Sequence, residues 1–592
     1  MKTKAKRVIS LLIKPVSNGN SIFFAMMYLL GLTSIILEPW NGSREMMTLE
    51  LFSDLYILCA LLQLIPHRLR HFARISLAIA FYILSVIDMF CYKELSTPIT
   101  PTLTMLFLQT NMREASEVLT AYATGKNLSF PLLLIILQFA AGMYILCRKK
   151  FEEKARTLFF GIREKSKIIA KTLFLAVVAA GFLTGAENKC YIYYRIVRQY
   201  SELETVKVRE FRTSTHFYLP VYRLAFSFAE ISRMKREMSE YESNIHNTQV
   251  DSTSCISPHI VVIIGESYNR HHSSLYGYGK MTTPRQLERM RKGELAVFKD
   301  IISTWNMTSE SLKNVFSSHS IGQSGTWASA PPFPAVFKAA GYCTTFVSNQ
   351  YVLGNNGFSD FTEDIFFNNP QTSSLLFDRR NPSVHQYDIS LISDYRKYAE
   401  KKLPRLDIFH LLGSHSDYKE RYPAGFGIFS EKDYRRADLG KNERQIIADY
   451  DNAVRYNDMV VDSILRLFEN EDAIVIYVPD HGERVFDSSN QWGRNLSWKK
   501  GDIRQQFDIP FWIWSSQQYR TKHRALWERI MKSTGKRGMT DTLPQILYHI
   551  AGISTKWYFP QMDIISDDYN PDRKRIIREE KDYDKICNAT RK

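Results

Sequence analysis

The chain has 592 residues, which is too long for one domain and indicates two or three. Its net charge of +16 is the difference between 77 basic and 61 acidic residues. The sequence has no basic patch interleaved with aromatic residues and no nucleic-acid-binding motif, so the charge suits an enzyme that works against anionic lipid surfaces and not one that binds nucleic acid.

Five long apolar runs precede residue 190, and each is near the roughly 17 to 25 residues of a membrane-spanning helix. They are Ser21 to Leu37, Thr48 to Ile65, Phe72 to Tyr92, Leu128 to Leu146 and Ile169 to Gly185. Because they mostly lack a polar face, we predict a transmembrane domain of five helices over residues 1–187. The second run contains Asp54, which we expect to face other helices.

Basic residues predict the orientation of these helices. The start of the chain (MKTKAKR) and the segments His67 to Arg74 and Arg148 to Lys171 are rich in Lys and Arg, whereas the loops after the first and third runs are not. The basic segments are therefore expected in the cytoplasm, and five crossings place the rest of the chain outside. A cleaved signal peptide does not fit the first run, because no small-residue cleavage site follows it.

Two polar segments accompany the membrane domain. The loop Lys93 to Asn127 has helical periodicity and is too polar to cross the bilayer, so we expect a short interfacial helix there. Residues 188–251 are charged and aromatic and lack Gly and Pro runs, which indicates a connector of amphipathic helices and not a flexible linker. Tyr191, Tyr193 and Tyr194 begin this connector, where amphipathic rings prefer the membrane boundary.

From about residue 252 the pattern changes to apolar strands that alternate with helical segments. The strands are HIVVIIG, CTTFVSN, LDIFHLLGSH, AIVIYVPDHGE and IPFWIW. This alternation predicts a mainly parallel sheet between helices, in a catalytic domain over residues 252–570 with a C-terminal tail over 571–592.

Polar residues follow three of these strands, at the sheet edge where open α/β sheets bind ligands. Glu266 follows the first strand, His415 another, and Asp480 with His481 a third. Carboxylate oxygens and neutral imidazole are zinc ligands, so the three-residue set Glu266, Asp480 and His481 is a candidate site with the fourth position open. Local sequence equally allows Glu266 to cap a helix and the Asp-His pair to be structural.

Thr308 is the candidate nucleophile. It begins a helix-like run in ISTWNMTSESL, where helix amides and a metal would stabilise an alkoxide and the phosphate that it attacks. Thr308 could equally be a plain helix cap. Four cysteines, Cys190, Cys255, Cys343 and Cys587, lie in the region expected outside, where either two disulfides of open connectivity or buried thiols are possible.

Several ordered blocks of this sequence carry a resemblance to a known family. They are GESYNRHHSSLYGYGKMTTP, ISTWNMTSESL, FPAVFKAAGYCTTFVSNQ, HLLGSHSDYKERYP, YDNAVRYNDMVVDSIL, VPDHGE and DIPFWIW. The chain resembles the membrane phosphoethanolamine transferases of Gram-negative bacteria, in the alkaline phosphatase and sulfatase superfamily. The resemblance includes the five apolar runs and the QTNMREASE segment, so it extends over nearly the whole chain.

The resemblance implies a site residue by residue. Glu266, Thr308, Asp480 and His481 would hold Zn²⁺, and Thr308 would also be the nucleophile. His415 would help to hold the substrate phosphate, and Asn269 and Arg270 of GESYNR would bind substrate. After the DHGE motif many relatives have another histidine, whereas this chain reads QWGRNLSW, so Arg494 either replaces it in phosphate binding or marks a different acceptor pocket.

The implied activity is transfer of phosphoethanolamine from phosphatidylethanolamine to an envelope glycan through a phosphoethanolamine-threonine intermediate. Lipid A or the lipopolysaccharide core is the expected acceptor, with the protein in the bacterial inner membrane and its catalytic domain in the periplasm. A sulfatase of the same superfamily would need a C/S-x-P-x-R motif, which does not surround Thr308. The sequence also leaves open a phosphoglycerol transferase and a non-catalytic membrane sensor.

Overall fold

The structure of the chain is a computed structural model. It describes residues 2–17, 20–37, 43–95, 98–101, 103–104, 130–147, 164–199, 217–350, 369–399, 401–487, 492–494, 498–578 and 581–588. The chain divides into two compact units, Met1–Lys235 and Arg236–Lys592. Most of the loop predicted to hold an interfacial helix and most of the third basic segment lie outside the described residues.

The first unit is helical, as the apolar runs predict. Its helices are α1 (Lys2–Ile13), α2 (Asn20–Leu37), α3 (Arg44–Leu64), α4 (His67–Leu95), α5 (Phe130–Cys147) and α6 (Glu164–Ile192), and helix α7 (Pro220–His246) begins in this unit. By length and composition, four helices of the described chain are able to cross a membrane: Asn20–Leu37, Arg44–Leu64, His67–Tyr92 and Ile168–Val197. The predicted count of five is therefore one too high by this measure, because the fourth predicted run forms a shorter apolar helix over Pro131–Leu146.

Asp54 faces other helices, as expected for a carboxylate inside a membrane-spanning segment. Its Oδ2 atom accepts hydrogen bonds of 2.7 Å from the hydroxyls of Tyr218 and Tyr222 and lies 2.7 Å from Nζ of Lys189. The same Lys189 ammonium pairs with Glu50 at 2.5 Å. These contacts satisfy polar groups that the hydrocarbon region would otherwise leave without partners.

A second polar contact in this unit joins helices α4 and α7. Asp88 is fully buried in α4, and its carboxylate pairs with the guanidinium of Arg223. The backbone N–H of Ile99 also donates to Oδ1 of Asp88 at 2.9 Å. Because both partners are buried, removal of one takes the opposite charge away from the other in a place of low polarity.

The second unit is built on a seven-stranded sheet. Its strands are β2 (His259–Gly265), β3 (Leu295–Phe298), β5 (Cys343–Ser348), β6 (Arg379–Arg380), β7 (Arg405–His410), β8 (Ala473–Pro479) and β9 (Phe511–Ser515). They lie in the order β3-β9-β8-β2-β7-β5-β6. Neighbouring strands from β8 to β6 are parallel, while β9 is antiparallel to both β8 and β3. The mainly parallel sheet is thus confirmed, with IPFWIW as an antiparallel member.

Short strands pair outside the main sheet. They are β1 (Ser252–Thr253) with β11 (Ile553–Ser554), β4 (Asp300–Ile302) with β10 (Arg537–Met539), and β12 (Ile576–Ile577) with β13 (Lys581–Asp582).

Helices cover both faces of the main sheet. Alternate residues of β2 point to opposite faces, so Ile260, Val262 and Ile264 join one hydrophobic cluster and Val261 and Ile263 join the other. The helices are α8 (Pro284–Arg291), α9 (Thr308–Phe316), α10 (Phe333–Ala339), α11 (Pro370–Leu376), α12 (Leu391–Tyr398), α13 (Lys441–Leu465), α14 (Lys500–Phe507), α15 (Gln517–Lys522), α16 (Arg524–Ser533), α17 (Leu543–Ala551) and α18 (Tyr583–Asn588).

The described part of the segment expected as a C-terminal tail packs against this unit. Ile577, Tyr583 and Cys587 join a hydrophobic cluster with residues of α14 and β10. Arg575 pairs with Asp300 at 2.6 Å and with Asp584 at 2.5 Å. The four cysteines considered for disulfides are all present as thiols.

We expect Asp88→Ala to destabilise the membrane unit by about 3–5 kcal/mol, because the buried guanidinium of Arg223 loses the carboxylate that pairs with it. The double variant Asp88→Leu/Arg223→Met should recover most of that loss, since it removes both charges. Thermal unfolding of the detergent-solubilised full-length protein measures both effects. A single variant as stable as the wild type, or a double variant no better than the single, would contradict the assignment.

Candidate active site

The pairing of β2 with β8 brings the candidate metal ligands together. Gly265, the last residue of β2, lies opposite Pro479, the last residue of β8. The residues that follow, Glu266 and Asp480, are therefore neighbours at the carboxyl edge of the sheet. The backbone N–H of Asp480 donates to the carbonyl oxygen of Gly265 at 3.1 Å, which extends the register one residue past the strands.

Glu266, Asp480 and His481 form a buried cluster in which one ligand atom of each residue lies within 4.8 Å of the others. Thr308, the first residue of α9, adds its hydroxyl to this cluster. Its Oγ1 atom lies 3.4 Å from both carboxylate oxygens of Glu266 and 3.2 Å from Nε2 of His481. The structure thus brings the four predicted metal-site residues together.

The hydrogen bonds of His481 determine which ring nitrogen faces the cluster. Nδ1 lies 2.8 Å from the carbonyl oxygen of Gly482, which accepts only, so Nδ1 carries the proton. Nε2 then has a lone pair, and Nη1 of Arg494 donates to it at 2.8 Å. A neutral imidazole held by a backbone carbonyl in this way is suited to ligate a metal through Nε2.

The charges of the cluster fit a cation. Burial, with the adjacent Asp480 as the second cause, raises the pKa of Glu266 to about 8. Burial opposes ionisation of Asp480 as well, but hydrogen bonds to its carboxylate, among them that from the Ser267 N–H at 3.0 Å, keep the pKa of Asp480 below its ordinary value. Within the described residues, Oδ2 of Asp480 is buried without a hydrogen bond, although Nε2 of His481 lies 3.0 Å away.

Two buried carboxylates, one of which has an oxygen without a hydrogen bond among the described residues, and an imidazole lone pair make a donor set that suits a divalent metal ion. Carboxylate oxygen and imidazole nitrogen are ligands that zinc accepts, and a cation here would favour the ionised form of both acids.

Residues around the cluster hold the ligands in place. Ser267 adopts φ +54°, and its carbonyl accepts a 2.7 Å hydrogen bond from the hydroxyl of Tyr450. Its side chain donates to Oε1 of Glu266 at 2.6 Å. Gln350 donates to Oε2 of Glu266 at 3.3 Å, and Ser311 donates to the carbonyl of Asp480 at 2.5 Å. Strained backbone of this kind persists where surrounding contacts hold it.

Gly413 allows the backbone after β7 to approach Glu266 closely. Its φ is +52°, and a Cβ atom at this position would lie 2.9 Å from both the nitrogen and the carbonyl oxygen of Glu266. The backbone N–H of Ser414 donates to the same carbonyl at 3.1 Å. A side chain at residue 413 would therefore displace a metal-site residue.

Arg494 lies at the mouth of the cluster. Besides its contact with His481, Nη1 of Arg494 lies 3.3 Å from Oγ1 of Thr308. Its Nε lies 4.0 Å from Oε2 of Glu483, which is longer than a hydrogen bond. Burial raises the pKa of Glu483 to about 7. His415 is half-buried nearby, and burial together with the charge of Arg494 lowers its pKa.

Asn269 and Arg270, predicted to bind substrate, have their hydrogen bonds elsewhere. The amide of Asn269 donates to the carbonyl of Glu483 at 2.9 Å and also to the side chain of Gln505. Arg270 donates to the carbonyl of Lys299 at 2.7 Å and to Asp508 at 3.0 Å. Both side chains thus fasten the turn after β2 to neighbouring segments, and their role in substrate binding stays a prediction.

Sequence reasoning missed four residues beside the cluster: Ser311, Gln350, Tyr418 and Glu483. Two of them carried a usable signal. Ser311 follows Thr308 by one helical turn, and Gln350 follows β5 at the same sheet edge as Glu266. Glu483 stands in the DHGE motif, but nothing in the motif says where its side chain points. Tyr418 begins a short 3-10 helix, Tyr418–Arg421, eight residues after β7, and the strand-end rule does not predict where its side chain lies.

We expect the purified full-length protein to hold about one divalent transition-metal ion per chain, and His481→Ala or Asp480→Ala to lose it. His523→Ala is the matched control, because His523 pairs with Asp472, away from the cluster. Elemental analysis after gel filtration measures the content. Equal metal in the wild type and both cluster variants would show the ligand assignment to be wrong.

Comparison with known proteins gives consistent results. The family model described as Sulfatase matches residues 258–553, which is half of the chain. Phosphoethanolamine transferase EptC of Escherichia coli K12 is 24% identical over 585 residues, covering 95% of this chain and 94% of the relative. Kdo(2)-lipid A phosphoethanolamine 7''-transferase of the same organism is 27% identical over 278 residues, covering 44% and 45%.

Among solved structures, the C-terminal periplasmic domain of EcEptC from Escherichia coli in complex with Zn is 27% identical, with a TM-score of 0.49. It covers 57% of this chain and 95% of that one. The matched residues 258–553 begin just before β2 and end at β11, so they include the whole sheet and all four residues of the cluster. The chain belongs to the sulfatase family.

Proposed function

We propose that this protein transfers phosphoethanolamine from phosphatidylethanolamine to a glycan of the bacterial cell envelope, through a phosphoethanolamine ester of Thr308. The observation that carries the proposal is the position of the Thr308 hydroxyl, 3.4 Å from both oxygens of Glu266 and 3.2 Å from Nε2 of His481. The names of the relatives that match 95% and 44% of the chain support phosphoethanolamine as the transferred group.

Zinc is the metal that we assign to the cluster, because one imidazole and two carboxylates leave a fourth position open. When bound, zinc would lower the pKa of the Thr308 hydroxyl and stabilise negative charge on the phosphoryl oxygens. Glu266, Asp480 and His481 would be its ligands, with Thr308 at the fourth position.

In the first half-reaction, Oγ1 of Thr308 attacks the phosphorus of phosphatidylethanolamine. The new bond joins Oγ1 to phosphorus, and the bond between phosphorus and the glycerol oxygen breaks, so that diacylglycerol leaves with one proton, which balances the proton that the Thr308 hydroxyl gives up. Arg494 lies 3.3 Å from Oγ1, and its forked donors suit the phosphoryl oxygens. The N-terminal amides of α9 favour negative charge at the same place.

In the second half-reaction, an oxygen of the acceptor attacks phosphorus and Thr308 leaves with the proton of the acceptor group. His415 is half-buried and near enough to Arg494 for that charge to help lower its pKa, and it would contact the transferring phosphate. We propose lipid A or the lipopolysaccharide core as the acceptor, which the name of the relative acting on Kdo(2)-lipid A supports.

A membrane unit on the same chain would keep the catalytic unit near the surface that contains the donor lipid. We propose the bacterial inner membrane, with the basic segments in the cytoplasm and the catalytic unit in the periplasm. Four crossings would return the chain to the side on which it starts, so this placement requires α5 to cross as well. The 18 residues of α5 lie at the short end of the range that spans a bilayer.

Thr308→Ala should lower transfer by at least about a thousandfold, because one residue would be both nucleophile and metal ligand. Incubation of the full-length protein with phosphatidylethanolamine and without acceptor should leave phosphoethanolamine on the Thr308 peptide, identified by mass spectrometry. Ser309→Ala is the control and should keep the label, and Thr308→Ser should keep part of the activity. A label on Ser309 or Ser311, or full activity of Thr308→Ala, would refute the intermediate.

Mass spectrometry of envelope lipids and glycans tests the acceptor. Cells with the wild-type protein should carry phosphoethanolamine on lipid A or core sugars, and cells with Thr308→Ala should not, because the variant lacks the nucleophile. Phosphoglycerol in place of phosphoethanolamine would favour a phosphoglycerol transferase. Identical lipids and glycans in the two strains would argue against transfer to the envelope.

A further inference from the structure

The headgroup of the proposed donor is a zwitterion, with a negative phosphate and a positive ammonium group. The residues described so far would bind only its phosphate. The cluster and Arg494 face the phosphoryl group, but the ammonium group at the other end of phosphoethanolamine also needs partners. An ammonium has three N–H donors and one positive charge, so its site needs acceptors and negative charge. Glu483 is a carboxylate of the described chain that lies beyond Arg494.

Glu483 is buried, and one of its oxygens has no hydrogen bond. Its side chain is 3% exposed, and Oε1 has no hydrogen-bond partner among the described residues. Oε2 faces the Nε of Arg494 at 4.0 Å, a distance that leaves attraction between the charges but no hydrogen bond. A buried carboxylate in this state is costly unless something else binds it.

Tyr418 is the second group in the same place, since it lies close enough to Glu483 and Arg494 for their charges to act on its hydroxyl, whose pKa burial raises. Its buried hydroxyl also lacks a hydrogen-bond partner in the described part of the chain, and its ring meets the ring of Trp492 edge to face at a centroid distance of 5.9 Å. Trp492 is 45% exposed, so these rings connect the buried hydroxyl to the surface. Aromatic faces next to a carboxylate favour a small organic cation.

The spacing suits the transferred group. Nη1 of Arg494 contacts Oγ1 of Thr308 at 3.3 Å, while Nε of the same guanidinium faces Glu483. Thr308 and Glu483 are therefore separated by one guanidinium group. Phosphoethanolamine on Thr308 would lay its phosphate along Arg494 and extend its two-carbon arm toward Glu483, so that each end of the zwitterion meets the opposite charge.

We propose that Glu483, together with Tyr418, binds the ammonium group of phosphoethanolamine and so selects the donor headgroup. The inference deepens the proposed function and rests on it. Oε1 of Glu483 and the Tyr418 hydroxyl accept N–H groups of the ammonium, and the backbone of Glu483 is held for this by the 2.9 Å hydrogen bond from Asn269 to its carbonyl.

The test uses two nitrophenyl phosphodiesters, nitrophenyl phosphoethanolamine and nitrophenyl ethyl phosphate, which differ by the ammonium group alone. The readout is the ratio of kcat/KM for the two esters with the full-length holoenzyme, so that a general loss of activity cancels. We expect the wild type to prefer the ammonium ester and Glu483→Gln to lower that preference about 10- to 100-fold. Tyr418→Phe should lower it by less, since the carboxylate remains.

Glu471→Gln is the matched control, because Glu471 pairs with His259 and Arg405 at the opposite edge of the sheet and should leave the ratio unchanged. Metal content is measured for each variant. If the wild type prefers the ammonium ester and Glu483→Gln keeps that preference, the ammonium site is wrong while the proposed function stands. If the wild type cleaves both esters without preference, the ammonium site is likewise wrong; if it cleaves neither, both the site and the proposed function are overturned.

Discussion

Two carboxylates buried side by side at the end of two parallel strands are the constraint on which the active site depends. Because Gly265 pairs with Pro479, the residues that follow these two strands, Glu266 and Asp480, lie side by side. Neither side chain is exposed to water, and two like charges in such a place repel each other unless a cation or a proton intervenes. The imidazole of His481, the guanidinium of Arg494 and the hydroxyl of Thr308 all lie at this point. The guanidinium supplies positive charge beside the two acids, and the hydroxyl lies 3.4 Å from the carboxylate oxygens of Glu266.

The same constraint explains the unusual local backbone. Ser267 takes a left-handed conformation so that its own N–H reaches Oδ1 of Asp480 at 3.0 Å while its hydroxyl reaches Glu266. Tyr450 of α13 accepts from one residue of this turn and donates to another. A helix on one face of the sheet therefore stabilises a turn at its edge, and the position of Glu266 depends on how that helix packs.

The sequence predicted the part of the site that follows from strand ends. Buried runs such as HIVVIIG and AIVIYVP indicate parallel strands, and the residues just after them, Glu266 and Asp480, have to meet at one edge. Side-chain direction within the turn after β2 does not follow from that rule, so the hydrogen bonds of Asn269 and Arg270 to neighbouring segments could not be predicted. In the membrane unit the inward direction of Asp54 was predictable from its polarity alone. Its partner Lys189 could not be predicted, because it lies 135 residues away in the chain.

The outermost strand of the sheet, β6, has two residues, and both are arginines. Arg380 stacks on Phe346 and Phe377, while Arg379 is exposed. An open sheet edge is a template on which another chain can add a strand, and a very short edge that carries positive charge is a poor one. The described sheet thus ends in a short strand that carries positive charge, which offers another chain little backbone with which to pair.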